Sequence, residues 1–431
     1  MRTHPAPLSR LDAPWLQRGD VADLLAVLNR DGEEARVIGG AVRNALLARL
    51  GAEESASNIG VAEHALGDVD IATTAVPEEV IKRVEAAGFK AVPTGIDHGT
   101  ITVVISGKPF EVTTLREDVE TYGRKAKVAF GRDWKADAER RDFTINALSV
   151  SPDGMLHDYV GGLTDLAARR VRFIGDPEKR IAEDYLRILR FFRFHAAYGQ
   201  GAPDAAGLHA CVVARAGLDA LSRERVRMEI LKLLLAPHAV ATLVVMEETG
   251  LLGRLLAGVP LLASFANMLK VEAALGLAGD PVRRLAALGT RVVEDAERLW
   301  QRLRLANAEH ERLQSMAIQW RGLSPAIGEP GARSLLYRLG PDRFVDRVLI
   351  AWTRSPAPAT DTAWHRLATL PLRWTAPVFP LRATDFMARG VPQGPALGAA
   401  LRAAEAAWIE ADFPSDPAAL AAVADRAAAA K

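Results

Sequence analysis

The stretch Val37-Ile38-Gly39-Gly40-Ala41-Val42-Arg43 determines how the first part of this chain is interpreted. An apolar strand pattern runs into two glycines and then into a helical pattern, and glycine lets the backbone approach a ligand closely. Free N–H groups at the helix start, with Arg43 one turn later, favour an anion such as phosphate. A tight strand–helix turn with a surface arginine explains the same residues, and short glycine motifs of this kind are common.

A second segment, Gly67-Asp68-Val69-Asp70-Ile71, places two carboxylates two residues apart. In a strand such residues point to one face, and the repulsion between Asp68 and Asp70 falls when a cation lies between them. Oxygen ligands with room for water and phosphate suit Mg²⁺. Together with the glycine turn, the pair predicts a metal-bound nucleoside triphosphate; an exposed polar strand face is the alternative. Glu111, in a later apolar strand, is either a third carboxylate beside the pair or a solvated residue.

The segment Arg140-Arg141-Asp142-Phe143-Thr144-Ile145-Asn146 joins two arginines to an apolar run. The arginines suit an anionic ligand, and Asp142 can accept a hydrogen bond from a ribose hydroxyl. The alternative is a solvated helix start with both arginines on the surface.

The residues from Glu183 to Arg193 predict one continuous helix. Asp184 and Arg187 are three residues apart and would share a face of that helix. An Asp acceptor beside an Arg donor matches the amino group and ring nitrogen of cytosine and adenine. With uracil or guanine the same pair would leave buried polar groups unpaired. A weak intrahelical ion pair, Glu183 with Arg187, is the more ordinary interpretation.

Composition excludes several classes of protein. The 431 residues are 49% hydrophobic and 25% charged, which is typical of a globular protein. The net charge of +1 excludes a protein that coats nucleic acid by bulk positive charge. The single Cys211 excludes a disulfide framework and a Cys-rich zinc site. No leader-like N-terminal segment and no apolar stretch near ~18 residues is present, so we expect a cytoplasmic protein without a membrane span.

The character of the chain changes near residue 150. Before it, strand patterns such as Arg36–Ile38 and Ile101–Ile105 alternate with helical patterns such as Ala41–Leu50 and Pro77–Ala87. After it, the spacing is almost entirely helical, with Ser222 expected to cap a helix ending at Leu235. The sequence predicts an α+β protein, with a mixed α/β head followed by an all-helical remainder.

In this order, the segments resemble the bacterial and eukaryotic class of tRNA nucleotidyltransferases, the CCA-adding enzymes. These belong to the nucleotidyltransferase superfamily that includes DNA polymerase β, together with bacterial poly(A) polymerases. Further matching segments are Thr94–Ile101, Asp158–Leu166, Gly175–Pro177, Leu221–Arg225 and Gly394–Gly398.

The resemblance implies four domains and a set of substrates. Residues 1–149 would be the catalytic nucleotidyltransferase head, 150–215 a helical neck that recognises the base, 216–330 a helical body and 331–431 a helical tail. Body and tail would bind tRNA. The substrates would be CTP, ATP and the acceptor end of a tRNA, with Mg²⁺ as cofactor and pyrophosphate as the leaving group.

The resemblance also implies roles for individual residues. Asp68 and Asp70 would bind the metal, with Glu111 as a further catalytic carboxylate. The nucleotide would be bound by Gly39, Gly40, Arg43, Arg141, Asp142, Asn146, Asp184, Arg187 and Arg190. The RNA-binding candidates are Arg193, Gly394 and Gly398. Arg190 and Arg193 would extend a positive stripe from the active site, unless they lie on a solvated helix face.

Two features bear on which member of the family this is. Asn44 follows Arg43 where the family usually has Asp, so an acceptor is kept and a charge is lost. Residues 116–133 would form the flexible loop that helps the enzyme change from CTP to ATP, which speaks against a CC-adding enzyme. The same segments also fit an A-adding enzyme, a poly(A) polymerase or a catalytically silent RNA-binding relative.

Overall fold

The computed structural model describes residues 10–17, 19–54, 69–122, 125–318 and 320–429, so the predicted metal ligand Asp68 lies outside it. The chain divides into two compact units, Met1–Thr242 and Leu243–Lys431. The described strands all lie in the first unit, and the described elements of the second are helical. The predicted α+β class is therefore confirmed.

The first unit is built on a seven-stranded mixed sheet. Its strands, with those of a separate hairpin, are β1 Ala35–Ile38, β2 Asp70–Thr73, β3 Lys90–Gly95, β4 Thr100–Ile105, β5 Lys108–Thr114, β6 Arg116–Tyr122, β7 Lys125–Phe130, β8 Ser149–Val150 and β9 Leu156–His157. The order across the large sheet is β3-β4-β5-β2-β1-β8-β9. The pair β2–β5 is parallel, whereas the other neighbours are antiparallel.

Burial follows the period of two that a half-buried strand requires. In β4, Ile101, Val103 and Ile105 are buried, while the residues between them are partly exposed. Strand β1 lies in the middle of the sheet, and all four of its residues are buried. The glycine turn therefore starts from one of the most enclosed strands of the unit.

Eleven of the described α-helices begin in the first unit. They are α1 Pro14–Gln17, α2 Asp20–Leu28, α3 Gly40–Glu54, α4 Pro77–Ala86, α5 Trp134–Glu139, α6 Gly162–Ala167, α7 Pro177–Glu183, α8 Leu186–Tyr198, α9 Ala205–Val213, α10 Arg223–Leu235 and α11 Ala239–Glu248, the last of which crosses the division between the units. The helices predicted at Ala41–Leu50 and Pro77–Ala87 are present as α3 and α4.

The continuous helix predicted from Glu183 to Arg193 is wrong. Helix α7 ends at Glu183, Asp184 has an extended backbone (φ −154°, ψ 107°), and α8 begins at Leu186. The Asp184 side chain accepts a hydrogen bond from the backbone N–H of Leu186 at 3.1 Å. Such a side-chain-to-backbone bond competes with the helical hydrogen bonds and favours a helix boundary at this residue.

Two other local predictions concern a loop and a helix start. The flexible loop predicted for residues 116–133 contains the antiparallel pair of β6 and β7, and its part in the change from CTP to ATP stays a prediction. Ser222 lies at the N-cap position of α10, yet its side chain makes no capping hydrogen bond. The predicted start of this helix is confirmed, but a side-chain cap does not explain it.

The described helices of the second unit after α11 run from Leu251 to Ala429. They are α12 Leu251–Leu256, α13 Leu262–Ala274, α14 Pro281–Gly289, α15 Val293–Leu303, α16 Asn307–Ala317, α17 Gly328–Leu339, α18 Pro341–Thr353, α19 Thr362–Ala368, α20 Ala383–Met387, α21 Pro395–Glu410 and α22 Pro417–Ala429. Within the described ranges, no helix combines the length and apolar character that a membrane span requires.

The segment after α5 is held in place by one buried carboxylate. Asp165 of α6 is fully buried. It accepts hydrogen bonds from Thr144 Oγ1 at 2.6 Å, Arg172 Nε at 2.8 Å and Arg170 Nε at 2.7 Å. Because Thr144 lies between Asp142 and Asn146, this contact fixes the backbone that carries both predicted ligands.

We expect Asp165→Ala to lower the free energy of unfolding by roughly 2–3 kcal/mol, since it removes a shared acceptor from a buried hydroxyl and two arginines. Urea denaturation followed by circular dichroism measures the change. Glu85 is an exposed acid of α4, and Glu85→Ala should change stability by less than about 0.5 kcal/mol. Equal effects of the two variants would contradict the role given to Asp165.

Candidate functional site

A cavity of about 520 Å³ lies in the first unit. It is lined by Gly39, Gly40, Arg43, Asp70, Arg140, Arg141, Asp142, Asn146, Asp184, Leu186, Arg187, Arg190, Arg193, Phe194 and Arg225. The structure thus brings together every residue that the sequence assigned to the nucleotide. Seven arginines face three aspartates in this lining, so the cavity attracts an anionic ligand.

The glycine turn enters the cavity where β1 passes into α3. Gly39 has a positive φ of 69°, which a residue with a Cβ atom rarely adopts. Its N–H donates to the carbonyl of Leu148 at 3.0 Å, and its carbonyl accepts from the N–H of Arg43 at the same distance. The backbone geometry therefore favours glycine at position 39, and the turn places Gly40 and Arg43 at the cavity wall.

Arg43 is buried to 6% exposure and is held by several acceptors. Its Nε and Nη2 donate to Asn44 Oδ1 at 3.2 and 3.1 Å, and Nη2 also donates to the Tyr198 hydroxyl at 2.7 Å. Nη1 donates to Asn146 Oδ1. The Arg43 guanidinium carbon lies 3.9 Å from the centre of the Tyr198 ring. Burial lowers the pKa of Arg43 below its usual value.

Asp142 is the acceptor at the centre of the cavity. Its Oδ1 accepts from the N–H of Phe143 at 2.8 Å and from Asn146 Nδ2 at 3.1 Å. Its Oδ2 accepts from Arg190, at 2.8 Å from Nε and 2.6 Å from Nη2. Burial acts to raise the pKa of Asp142, but Arg190 and these hydrogen bonds hold it below its ordinary value. Asn146 thus links Arg43 to Asp142 through its two amide atoms.

Asp184 and Arg187 both line the cavity, but they do not pair with each other. Asp184 Oδ2 forms an ion pair with Arg225 Nη2 at 2.6 Å. Arg187 pairs with Glu183 across the boundary between α7 and α8 and also donates to the carbonyl of Arg180 at 2.6 Å. The shared helix face predicted for Asp184 and Arg187 is wrong because the helix is interrupted at Asp184. The ordinary interpretation, a Glu183–Arg187 ion pair, is correct.

Arg190 and Arg193 do not lie on a solvated helix face. Arg190 is engaged by Asp142 and, at 3.7 Å, by Glu229. Arg193 pairs with Glu229 and lies 4.0 Å above the ring of Phe194. Arg140 and Arg141 are likewise paired with Asp137, a nearly buried residue of α5. These four arginines of the cavity are therefore held in place by ion pairs with acidic side chains.

The residues that could hold a metal lie where β2 begins. Asp70 begins this strand and is in parallel register with Glu111 of β5. Residues in register on neighbouring strands point to the same face, so the two carboxylates lie on one side of the sheet. The following pair, Ile71 and Val112, is completely buried. Carboxylates are the type of oxygen donor that Mg²⁺ prefers, so Asp70 and Glu111 could hold such an ion, although only Asp70 of the two lines the cavity.

The structure adds residues that the motifs did not indicate. Tyr198, the last residue of α8, reaches Arg43, and Arg225 of α10 reaches Asp184. Glu229, one turn after Arg225, forms ion pairs with Arg190 and Arg193 of α8. Arg225 belonged to a segment matched to the family, whereas Tyr198 had no local signal. Their contacts span 155 and 41 residues of sequence.

The other RNA-binding candidates lie in the second unit. Gly394 precedes α21 with a φ of 120°, and Gly398 lies within that helix. The helix predicted to begin at Pro395 is present. Contact of either glycine with RNA stays a prediction.

Residues 35–172 match the family described as Poly A polymerase head domain. Residues 208–265 match the family described as Probable RNA and SrmB-binding site of polymerase A. The first match contains the glycine turn, Asp70, Glu111 and Asp142, and the second contains Arg225. The two matches cover the residues that line the cavity except Asp184 and those of α8.

The chain is similar to named proteins over most of its length. It is 33% identical over 390 residues to mouse (Mus musculus) CCA tRNA nucleotidyltransferase 1, mitochondrial, covering 89% of this chain and 85% of the mouse protein. It is 40% identical to the zebrafish (Danio rerio) protein of the same name, covering 66% of this chain and 63% of that protein. The crystal structure of Bacillus stearothermophilus CCA-adding enzyme in complex with CTP has a TM-score of 0.70 at 29% identity, over 94% of this chain and 95% of that one.

We expect the ion pair of Asp142 to make stability depend on pH. Because its pKa is lower in the folded protein than the value of about 3.9 in an unfolded chain, Asp142 stabilises the fold above that value. This contribution is lost as the pH falls through the lower, folded pKa. Urea denaturation of the wild type and Asp142→Asn at pH 6 and at successively lower pH measures it. The stability difference should shrink below about pH 4; a constant difference would contradict the assignment.

Proposed function

Because this chain belongs to the family of CCA-adding tRNA nucleotidyltransferases, we propose that it adds C, C and A to the 3′ end of tRNA without a template, using CTP and ATP. The observation that carries the proposal is the single cavity that collects a phosphate-type turn, an Asp acceptor and the pair Asp184 and Arg187. In each addition, the tRNA 3′-oxygen forms a bond to the α-phosphorus, the bond to the β-phosphate breaks, and pyrophosphate leaves.

We assign the parts of the nucleotide to different walls of the cavity. Gly39, Gly40 and Arg43 bind the triphosphate. Gly39 forms the turn, its own N–H being bound to the carbonyl of Leu148, while the N–H groups at the start of α3 and the buried guanidinium of Arg43 suit phosphate oxygens. Asp142, with Arg141 and Asn146 beside it, accepts from the ribose. Arg190 supports this role by orienting the Asp142 carboxylate.

The base would be recognised by Asp184 and Arg187. Cytosine and adenine offer a donor and an acceptor that match one carboxylate and one guanidinium. Without nucleotide, Arg225 and Glu183 neutralise these two groups. Binding of the base therefore exchanges some ion-pair contacts for hydrogen bonds to the base, and a base with the opposite pattern cannot compensate for that loss.

The proposed metal ligands are the carboxylates near the start of β2. Asp68 and Asp70, with Glu111 as a third ligand, would hold Mg²⁺. When bound, Mg²⁺ activates the attacking hydroxyl and stabilises charge on the leaving phosphates. Asp70 and Glu111 support this assignment by their parallel register.

The tRNA side of the proposal concerns the helical parts of the chain. We propose that residues 1–149 are the catalytic head, 150–215 the neck, and 216–330 and 331–431 a body and tail that bind the acceptor end, with Arg193, Gly394 and Gly398 as contact candidates. The cytoplasmic location stays a prediction, since the vertebrate relatives are named as mitochondrial proteins.

An extension assay tests the activity directly. The protein and Mg²⁺ are incubated with a tRNA that ends at the discriminator base, at C or at CC, and with CTP, ATP or both. We expect two C additions and one A, after which extension stops. Addition of A to the CC end alone, C addition without A, a long A ladder or no extension at all would each overturn the proposal, in favour of a different activity in each case.

The same assay tests the assignment of the metal ligands. Asp70→Ala should abolish addition and leave tRNA binding nearly unchanged, because the reacting centre loses a carboxylate while the helical regions proposed to bind tRNA are unaltered. Full residual turnover by this variant would contradict the metal assignment.

The choice of base provides a second test. Asp184→Ala and Arg187→Ala should each reduce discrimination of CTP and ATP against UTP and GTP about tenfold or more, with a smaller effect on triphosphate affinity. Single-turnover addition of each nucleotide measures the ratio. Glu183→Ala is the matched control, because it removes the ion-pair partner of Arg187 but no group that faces the base. Unchanged discrimination in the first two variants would mean that these residues form only structural ion pairs.

A further inference from the structure

Arg43 is unusual among the arginines of the cavity because its acceptors are uncharged. Arg140 and Arg141 pair with Asp137, Arg190 with Asp142, and Arg193 with Glu229. Arg43 instead donates to two amide oxygens, of Asn44 and Asn146, and to the Tyr198 hydroxyl. Within the described residues, no carboxylate forms an ion pair with it.

The carboxylate that attracts Arg43, that of Asp142, is already paired with Arg190. Asp142 is two hydrogen bonds away through Asn146 and receives both Nε and Nη2 of Arg190. Arg193, although paired with Glu229, still repels Arg43. The pKa of Arg43 is lowered by burial first and by Arg193 second, yet a guanidinium remains charged at neutral pH. A buried positive charge without a carboxylate partner favours an anionic ligand.

Asn44 is the residue that makes this arrangement unlike the usual family pattern. An Asp at this position would accept the same two hydrogen bonds from Nε and Nη2 and would also cancel the charge of Arg43. The Asn44 amide oxygen accepts them at 3.2 and 3.1 Å without supplying a negative charge. Tyr198 supports Arg43 from the other side. Its hydroxyl lies 2.7 Å from Nη2 of Arg43, and the centre of its ring lies 3.9 Å from the guanidinium carbon.

We infer that Asn44 and Tyr198 are positioning residues that hold Arg43 through uncharged acceptors, so that its full positive charge acts on the triphosphate of CTP or ATP. The inference rests on the proposed function, since it takes the triphosphate as the ligand of Arg43. In this chain, Asn44→Asp weakens triphosphate binding.

The test measures nucleotide affinity without tRNA, by isothermal titration with CTP and with cytidine. The titrations are run both with Mg²⁺ and with a chelator, so that any effect on metal binding is separated from the effect on phosphate. We expect Asn44→Asp to weaken CTP binding about tenfold in both conditions and to leave cytidine binding unchanged. Asn307→Asp adds the same charge at the exposed start of α16, outside the cavity lining, and is the matched control.

Tyr198→Phe removes the hydroxyl and keeps the ring, and it separates positioning from folding. We expect it to raise KM for both nucleotides about threefold to fivefold with kcat and base discrimination unchanged, because binding of the triphosphate is weakened equally in the ground state and the transition state. Tighter or unchanged CTP binding by Asn44→Asp would overturn the inference, as would equal losses of CTP and cytidine. If the wild type binds CTP but fails in the extension assay, the proposed function fails while the inference on Arg43 stands.

Discussion

The ion pair between Asp142 and Arg190 joins the two parts of the cavity. Asp142 follows α5 and belongs to the segment anchored by Asp165, whereas Arg190 belongs to α8. From this pair, hydrogen bonds continue through Asn146 to Arg43 and Tyr198 on one side. On the other side, ion pairs continue through Glu229 to Arg193. A buried network of this kind is stabilising only when its members are satisfied. The positions of the glycine turn and of α8 therefore depend on each other.

The parts of this arrangement that could be predicted from sequence are those with a local cause. The two glycines after an apolar strand predicted the turn, and the positive φ of Gly39 explains why the pattern is informative. The alternation in β4 predicted its buried face. The cavity residues were predicted by the order of four short segments, none of which was specific alone.

The features that could not be predicted depend on contacts between distant residues. The pattern of Glu183–Arg193 predicts a single helix. The helix is interrupted at Asp184, whose side chain accepts a hydrogen bond from the backbone N–H of Leu186. The partner of Asp184 is Arg225 of α10, and nothing local in either segment indicates that pairing. The hairpin of β6 and β7 was similarly hidden, because charged residues in a strand resemble a loop when its partner strand is unknown.

The charge of the cavity explains why binding and selection must be performed by different residues. Seven arginines against three aspartates attract any nucleoside triphosphate, whatever its base. Since the four bases carry no charge, this attraction cannot distinguish CTP from UTP or ATP from GTP. Discrimination must come from groups whose hydrogen bonds are satisfied by one donor–acceptor order and left unpaired by the other. Asp184 and Arg187 are the groups proposed for this selection, and because their ion pairs with Arg225 and Glu183 offset their charges, they would respond to the donor–acceptor order of a base rather than to the charge of the triphosphate.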